Sequence, residues 1–107
     1  MSELEEYRKR IDEIDRELVA LWQARTACTD AVGRYKLAHG LPVLDREREA
    51  AVLEEKQALV TDPGLKEDVL RLYETIFALS RQRQHVLMEQ AGLSTERAEY
   101  DAEETEP

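Results

Sequence analysis

Cysteine, histidine, tryptophan and phenylalanine are nearly absent: the 107 residues hold one, two, one and one of them. A lone Cys28 excludes an internal disulfide framework and fits a reducing, cytoplasmic setting. Its neighbours Ala27, Ala31 and Val32 predict a small buried apolar group there rather than a nucleophile. His39 and His85 lack Cys or His partners at ligand spacing, so no metal site is expected. No apolar run approaches the ~18 residues of a membrane span. Met1-Ser2-Glu3 opens no signal peptide. Positive charge is scarce too, with 15 Lys and Arg against 24 Asp and Glu and a net charge of −9. That balance argues against a nucleic-acid or anionic-membrane binder, because phosphate binding needs a basic field. An anionic ligand would require a local basic pocket in an acidic protein.

Glycine and proline are few, and their positions divide the chain. Three helical segments can be read and nothing reads as a strand, so the expected fold is all-α, one domain over residues 1–92. The first helix opens with the capping-box pattern Ser2-x-x-Glu5 and runs to about Ala38. Its apolar positions, Leu4, Tyr7, Ile11, Ile14, Leu18, Leu21, Cys28, Val32 and Tyr35, form a heptad seam. His39-Gly40-Leu41-Pro42 ends it, with Gly40 suited to a left-handed cap. The second helix is expected from Asp45 as N-cap to about Val60. The third follows Asp62-Pro63 and carries Leu65, Val69, Leu72, Tyr73, Ile76, Leu79 and Leu87 to about Ala91, where Gly92 stops it. Residues 93–107, almost without apolar side chains from Ser94 on, read as a disordered acidic tail.

Length then forces a partner. A helix of ~35 residues is ~50 Å long, whereas a compact chain of about this size has a radius of gyration near ~13 Å. Two shorter helices cannot cover the whole seam, so the first helix is expected to pair with its own copy in an obligate homodimer.

Polar residues interrupt both seams. Arg25 occupies a first-helix position where the pattern asks for an aliphatic side chain, and Ser80 and Gln84 interrupt the third-helix stripe one turn apart. A buried arginine is costly unless paired, and a buried amide must be hydrogen-bonded. One such residue can serve to fix register in a bundle. Three of them, with Lys36 near the end of the same long helix and Arg48 and Glu49 after the break, favour a polar pocket. In the charge run Asp45-Arg46-Glu47-Arg48-Glu49, Arg48 and Glu49 are expected to face inward and Arg46 and Glu47 to face solvent. Arg8, beside the Tyr7 seam position, is a candidate contribution from the partner chain. The set suits a small polyanion that also bears hydroxyl or ether oxygens. No nucleophile–base pair is present, which points to orientation and electrostatics rather than covalent chemistry.

The motifs R8-x2-I11-x2-I14-D15, R25-x10-K36, P42-V43-x-D45-x2-R48-E49 and S80-x3-Q84, in this order and spacing, resemble the all-helical chorismate mutases of the AroQ class. The resemblance spans residues 4–90. It implies an intertwined three-helix homodimer with two equivalent pockets, each completed by Arg8 from the other chain. It further implies that Arg25 grips a substrate carboxylate, and that Lys36 touches a carboxylate and the ether oxygen. Gln84 would donate to that oxygen, Glu49 and the backbone near Asp45 would hold the ring hydroxyl, and Arg48 and Ser80 would complete the pocket. No cofactor is implied.

The chemistry of such a reaction agrees with the residues. Rearrangement of chorismate, a dicarboxylate with an enolpyruvyl ether, to prephenate is a one-step pericyclic shift that needs no acid, base, nucleophile or metal. Guanidinium forks suit its carboxylates. Same-fold isochorismate pyruvate lyases have a similar pocket but lack the Arg-Glu pair and the serine, so Glu49 and Ser80 favour the mutase. A non-catalytic helical dimerisation or regulatory module is the alternative from a different class.

Overall fold

A computed structural model describes residues 2–92; the expected disordered tail, residues 93–107, lies outside the described residues. Helix α1 spans Glu3–His39, 37 residues. Ser2 opens it as expected: its backbone is extended and its hydroxyl accepts from the Glu5 amide at 3.2 Å. Glu3, Glu5 and Glu6 then place negative charge on the positive end of the helix dipole. Gly40 closes α1 in the left-handed region, φ 66°, where a side chain would be strained. That conformation brings the Leu41 amide back to the Lys36 carbonyl at 2.8 Å.

Helix α2, Arg46–Leu59, starts where Asp45 caps it by accepting from the Arg48 amide at 3.0 Å. The next start differs from expectation. Asp62 does cap, but it caps a 3₁₀ turn, Pro63–Leu65, through the Gly64 amide at 2.9 Å. Helix α3 proper is Lys66–Gln90, entered from Leu65 without a side-chain cap. The Asp-x-Gly turn tightens the backbone for one turn before the α-helical pattern can begin.

Helix α3 is the shared element, packed against both α1 and α2. Val43, Leu44, Val52, Phe77 and Met88 are the buried apolar side chains among the described residues. Phe77 and Met88 lie outside the predicted stripe, whose Leu65, Leu72 and Leu79 are exposed. Coverage from two sides turns the buried face of α3 toward 77, 84 and 88. On α1 the covered part is the C-terminal half, where Asp30 and Gly33 are buried. The rest of the heptad seam is bare: Tyr7, Ile11, Leu18 and Leu21 are 53–66% exposed. Cys28, expected to be buried, is also exposed. Apolar neighbours mark a stripe that is to be covered, but among the described residues of one chain nothing covers this part of it.

Candidate active site

The C-terminal half of α1, the start of α2 and the middle of α3 enclose a cavity of about 340 Å³. Seven of the eight predicted residues line it: Arg25, Lys36, Asp45, Arg48, Glu49, Ser80 and Gln84. The local reason is helical spacing. Arg25, Thr29, Val32 and Lys36 fall at steps of four, three and four along one face of α1, and Ser80 and Gln84 fall four apart on α3.

Several of the polar groups are hydrogen-bonded within the cavity wall. Arg25 Nη1 donates to Ser80 Oγ at 3.1 Å. Lys36 Nζ donates to the Val43 carbonyl at 2.6 Å and to Gln84 Oε1 at 3.2 Å. Because an ammonium can only donate, Lys36 fixes the orientation of the Gln84 amide: oxygen toward Lys36, NH₂ left as a donor. Gln84 is 5% exposed, so that donor is held in a largely dry position.

Sequence reasoning missed Arg81, which lines the same cavity. Its Nη1 lies 2.6 and 2.5 Å from the two Glu49 carboxylate oxygens. Five basic side chains, Arg25, Lys36, Arg48, Lys56 and Arg81, face two acidic ones, Asp45 and Glu49. The local excess of basic side chains that an anionic ligand would require is therefore present. Within the charge run, Glu49 turns inward as expected, whereas Arg48 lines the cavity while remaining exposed. Arg46 and Glu47 are exposed but not featureless: with Leu41, Pro42 and Leu44 they line a second hollow of about 330 Å³ that shares Lys36 and Asp45. The break at Gly40 opens this second hollow beside the cavity, which the helical pattern alone did not reveal.

Arg8 is the predicted residue that the cavity does not include. It is exposed near the start of α1, about 25 Å along the helix from Arg25. A second missed pair, Asp30 and Arg83, ties α1 to α3 beside the cavity. Arg83 Nε and Nη2 donate to Asp30 Oδ1 and Oδ2 at 2.6 and 2.9 Å. The Arg83 hydrogen bonds hold the Asp30 carboxyl below its usual range against the opposing effect of desolvation, with the charges of Arg83 and Arg34 adding to the shift. Asp30 amid Ala27, Cys28, Ala31 and Val32 was the available signal, since a carboxylate buried there needs a cation.

Among the described residues no group of His, Cys, Asp and Glu could hold a metal ion, and no helix is long and apolar enough to cross a membrane. A cavity of this composition can bind and orient a small anion, but its lining holds neither His nor Cys to act as base or thiol nucleophile. Comparison with known proteins gives a match to chorismate mutase type II over residues 7–85. The chain belongs to that family. The T-protein of Haemophilus influenzae is 38% identical to it over 77 residues, 68% of this chain and 20% of that protein. The T-protein of Enterobacter agglomerans is 40% identical over 75 residues, 66% of this chain and 20% of that protein. The chain thus matches about one fifth of the length of these curated relatives. No solved structure gives a significant match. The family match covers the cavity residues from Arg25 to Gln84, and Arg8 with them.

Proposed function

We propose that the protein is a chorismate mutase, converting chorismate to prephenate without a covalent intermediate, cofactor or metal. The observation that carries this is the convergence of Arg25, Lys36, Glu49, Ser80 and Gln84 on one cavity, with a cationic lining and no His or Cys in it. Arg25, Arg48 and Arg8 bind the two carboxylates. Lys36 and the free NH₂ of Gln84 face the ether oxygen, on which negative charge develops as the C–O bond breaks. Glu49 accepts a hydrogen bond from the ring hydroxyl, and the backbone near Asp45 supports it. Holding the diaxial chair removes orientational entropy from the barrier, and preorganised donors stabilise the developing charge.

The catalytic unit is a homodimer of the 1–92 domain. Its support is the bare α1 seam together with an apolar groove of about 520 Å³ between α1 and α3. Leu18, Leu21, Trp22, Leu72, Ile76 and Leu79 line that groove, and so do Arg25 and Tyr73, which also line the cavity. A partner helix filling the groove would lie against the cavity wall, where its Arg8 can complete the site. A single cysteine, Cys28, which permits no disulfide within the chain, fits a cytoplasmic setting. The testing experiment is rescue of a chorismate-mutase-deficient strain on medium lacking phenylalanine and tyrosine. Growth is expected with the wild-type gene and not with Arg25→Ala; growth with neither overturns the proposal.

A further inference from the structure

Glu49 has a problem that the mutase reading creates. A carboxylate stands in a cavity meant to receive a dicarboxylate, among cations that the substrate needs. Arg25, Lys36 and Arg48 line the same space, and the Glu49 side chain carries the charge that each of them attracts. An ion pair between Glu49 and any of these would compete directly with substrate. It would also remove Glu49 from the position in which it accepts the ring hydroxyl.

We infer that Arg81 is a positioning residue that holds the Glu49 carboxylate on the α3 side of the cavity, out of reach of the substrate-binding cations. This rests on the mutase reading above and extends it to a residue outside the predicted set. One Arg81 nitrogen bridges both carboxylate oxygens, at 2.6 and 2.5 Å, which ties the group toward α3 while each oxygen keeps a lone pair to accept from a substrate hydroxyl. The pair is well shielded, with side chains 19% and 25% exposed, so water competes weakly for it. Arg81 precedes Gln84 by three positions on α3, and it follows Ser80, whose hydroxyl engages Arg25. Two cavity-lining pairs, Arg25–Ser80 and Arg81–Glu49, therefore join α3 to α1 and α2 from adjacent residues. Arg25 and Arg81 thereby each have their own partner in the cavity.

A double-mutant cycle on chorismate turnover tests this. Arg81→Met should lower kcat/KM by about tenfold or more, with KM rising, because the released Glu49 captures substrate-binding cations. In the Glu49→Gln background there is no carboxylate to misdirect, and the same change should cost less than about threefold. Arg81→Lys, which keeps a cation beside Glu49, should recover most of the loss. Circular dichroism and light scattering establish folding and assembly for each variant, and Arg81→Gln replaces Arg81→Met if the latter does not fold. Equal losses in both backgrounds would reduce Arg81 to general charge or packing and overturn the inference while leaving the mutase reading intact. Wild-type protein that does not turn over chorismate overturns the mutase reading itself, and this inference with it.

Discussion

Gly33 and Gln84 meet across the α1–α3 contact so closely that a Cβ on Gly33 would stand 3.0 Å from Gln84 Cγ. A glycine inside a helix costs roughly 1 kcal/mol relative to alanine, so its position calls for a packing reason. The close approach supplies one. It lets α3 settle against α1 at the level where Lys36 Nζ reaches the Gln84 amide. Gly33→Ala should gain helix propensity yet displace Gln84 by a few tenths of an ångström. Activity should fall by about tenfold with the helical circular dichroism spectrum unchanged, since small displacements of Gln84 from the donor position proposed for it are costly. Undiminished activity in the alanine variant would show that the Gln84 position does not depend on Gly33.

The Asp30–Arg83 fork has a pH signature. Its folded-state pKa lies below the ordinary carboxylate value, so its contribution to stability is present at neutral pH. That contribution is lost as pH falls through the lowered pKa. Asp30→Asn should lower the melting temperature at pH 7 and flatten its fall in acid. Melting curves for both proteins from pH 7 down to about pH 2 decide this. Parallel acid limbs would mean that the pair does not contribute to acid sensitivity.

Much of this was legible in the sequence because it is local. Ser2, Gly40 and Asp45 act within a few residues of themselves, and each sits at the helix boundary it was expected to form. The gathering of Arg25, Ser80 and Gln84 in one cavity was legible for a related reason: they break apolar stripes, and a polar group on a covered face needs partners. Arg81 and Arg83 were not legible, because on a charged helix only the third dimension shows which arginine meets Glu49 and which meets Asp30. Cys28 was misread because periodicity says that a face is covered without saying by which chain. Phe77 was missed because the buried face of α3 depends on its being packed by both α1 and α2.

Gln84→Glu separates donation from shape. The amide NH₂ donates at any pH, so wild-type activity should vary little across neutrality. An ionised glutamate accepts only, and it would repel the ether oxygen as that atom gains charge. Lys36, which lies 3.2 Å from the native amide oxygen, favours the ionised form of the substituted acid. Activity of the variant should therefore be present at low pH and decline as pH rises, in kcat/KM profiles from about pH 4.5 to 8. A flat profile for an active variant would place residue 84 away from the breaking bond.

Mixed dimers test the proposed role of Arg8. Arg8→Ala and Arg25→Ala proteins should each be nearly inactive as homodimers. Refolded together in equal amounts they form about half heterodimers, in which one pocket carries both lesions and the other neither. Activity should then return to roughly a quarter of wild type, on the statistics of a symmetric two-site dimer. Confirmed heterodimers without recovered activity would mean that Arg8 and Arg25 of one chain serve the same pocket.

The most direct measurement is product analysis with purified protein and chorismate, before and after treatment with a chelator. Prephenate should appear in the amount of chorismate consumed, unaffected by the chelator and without pyruvate release. Arg25→Ala should slow the conversion by about two orders of magnitude or more, as expected when a charge-assisted contact made in the transition state is removed. Pyruvate as a product, or chorismate left unchanged by folded wild-type protein, would contradict a mutase built on this cavity.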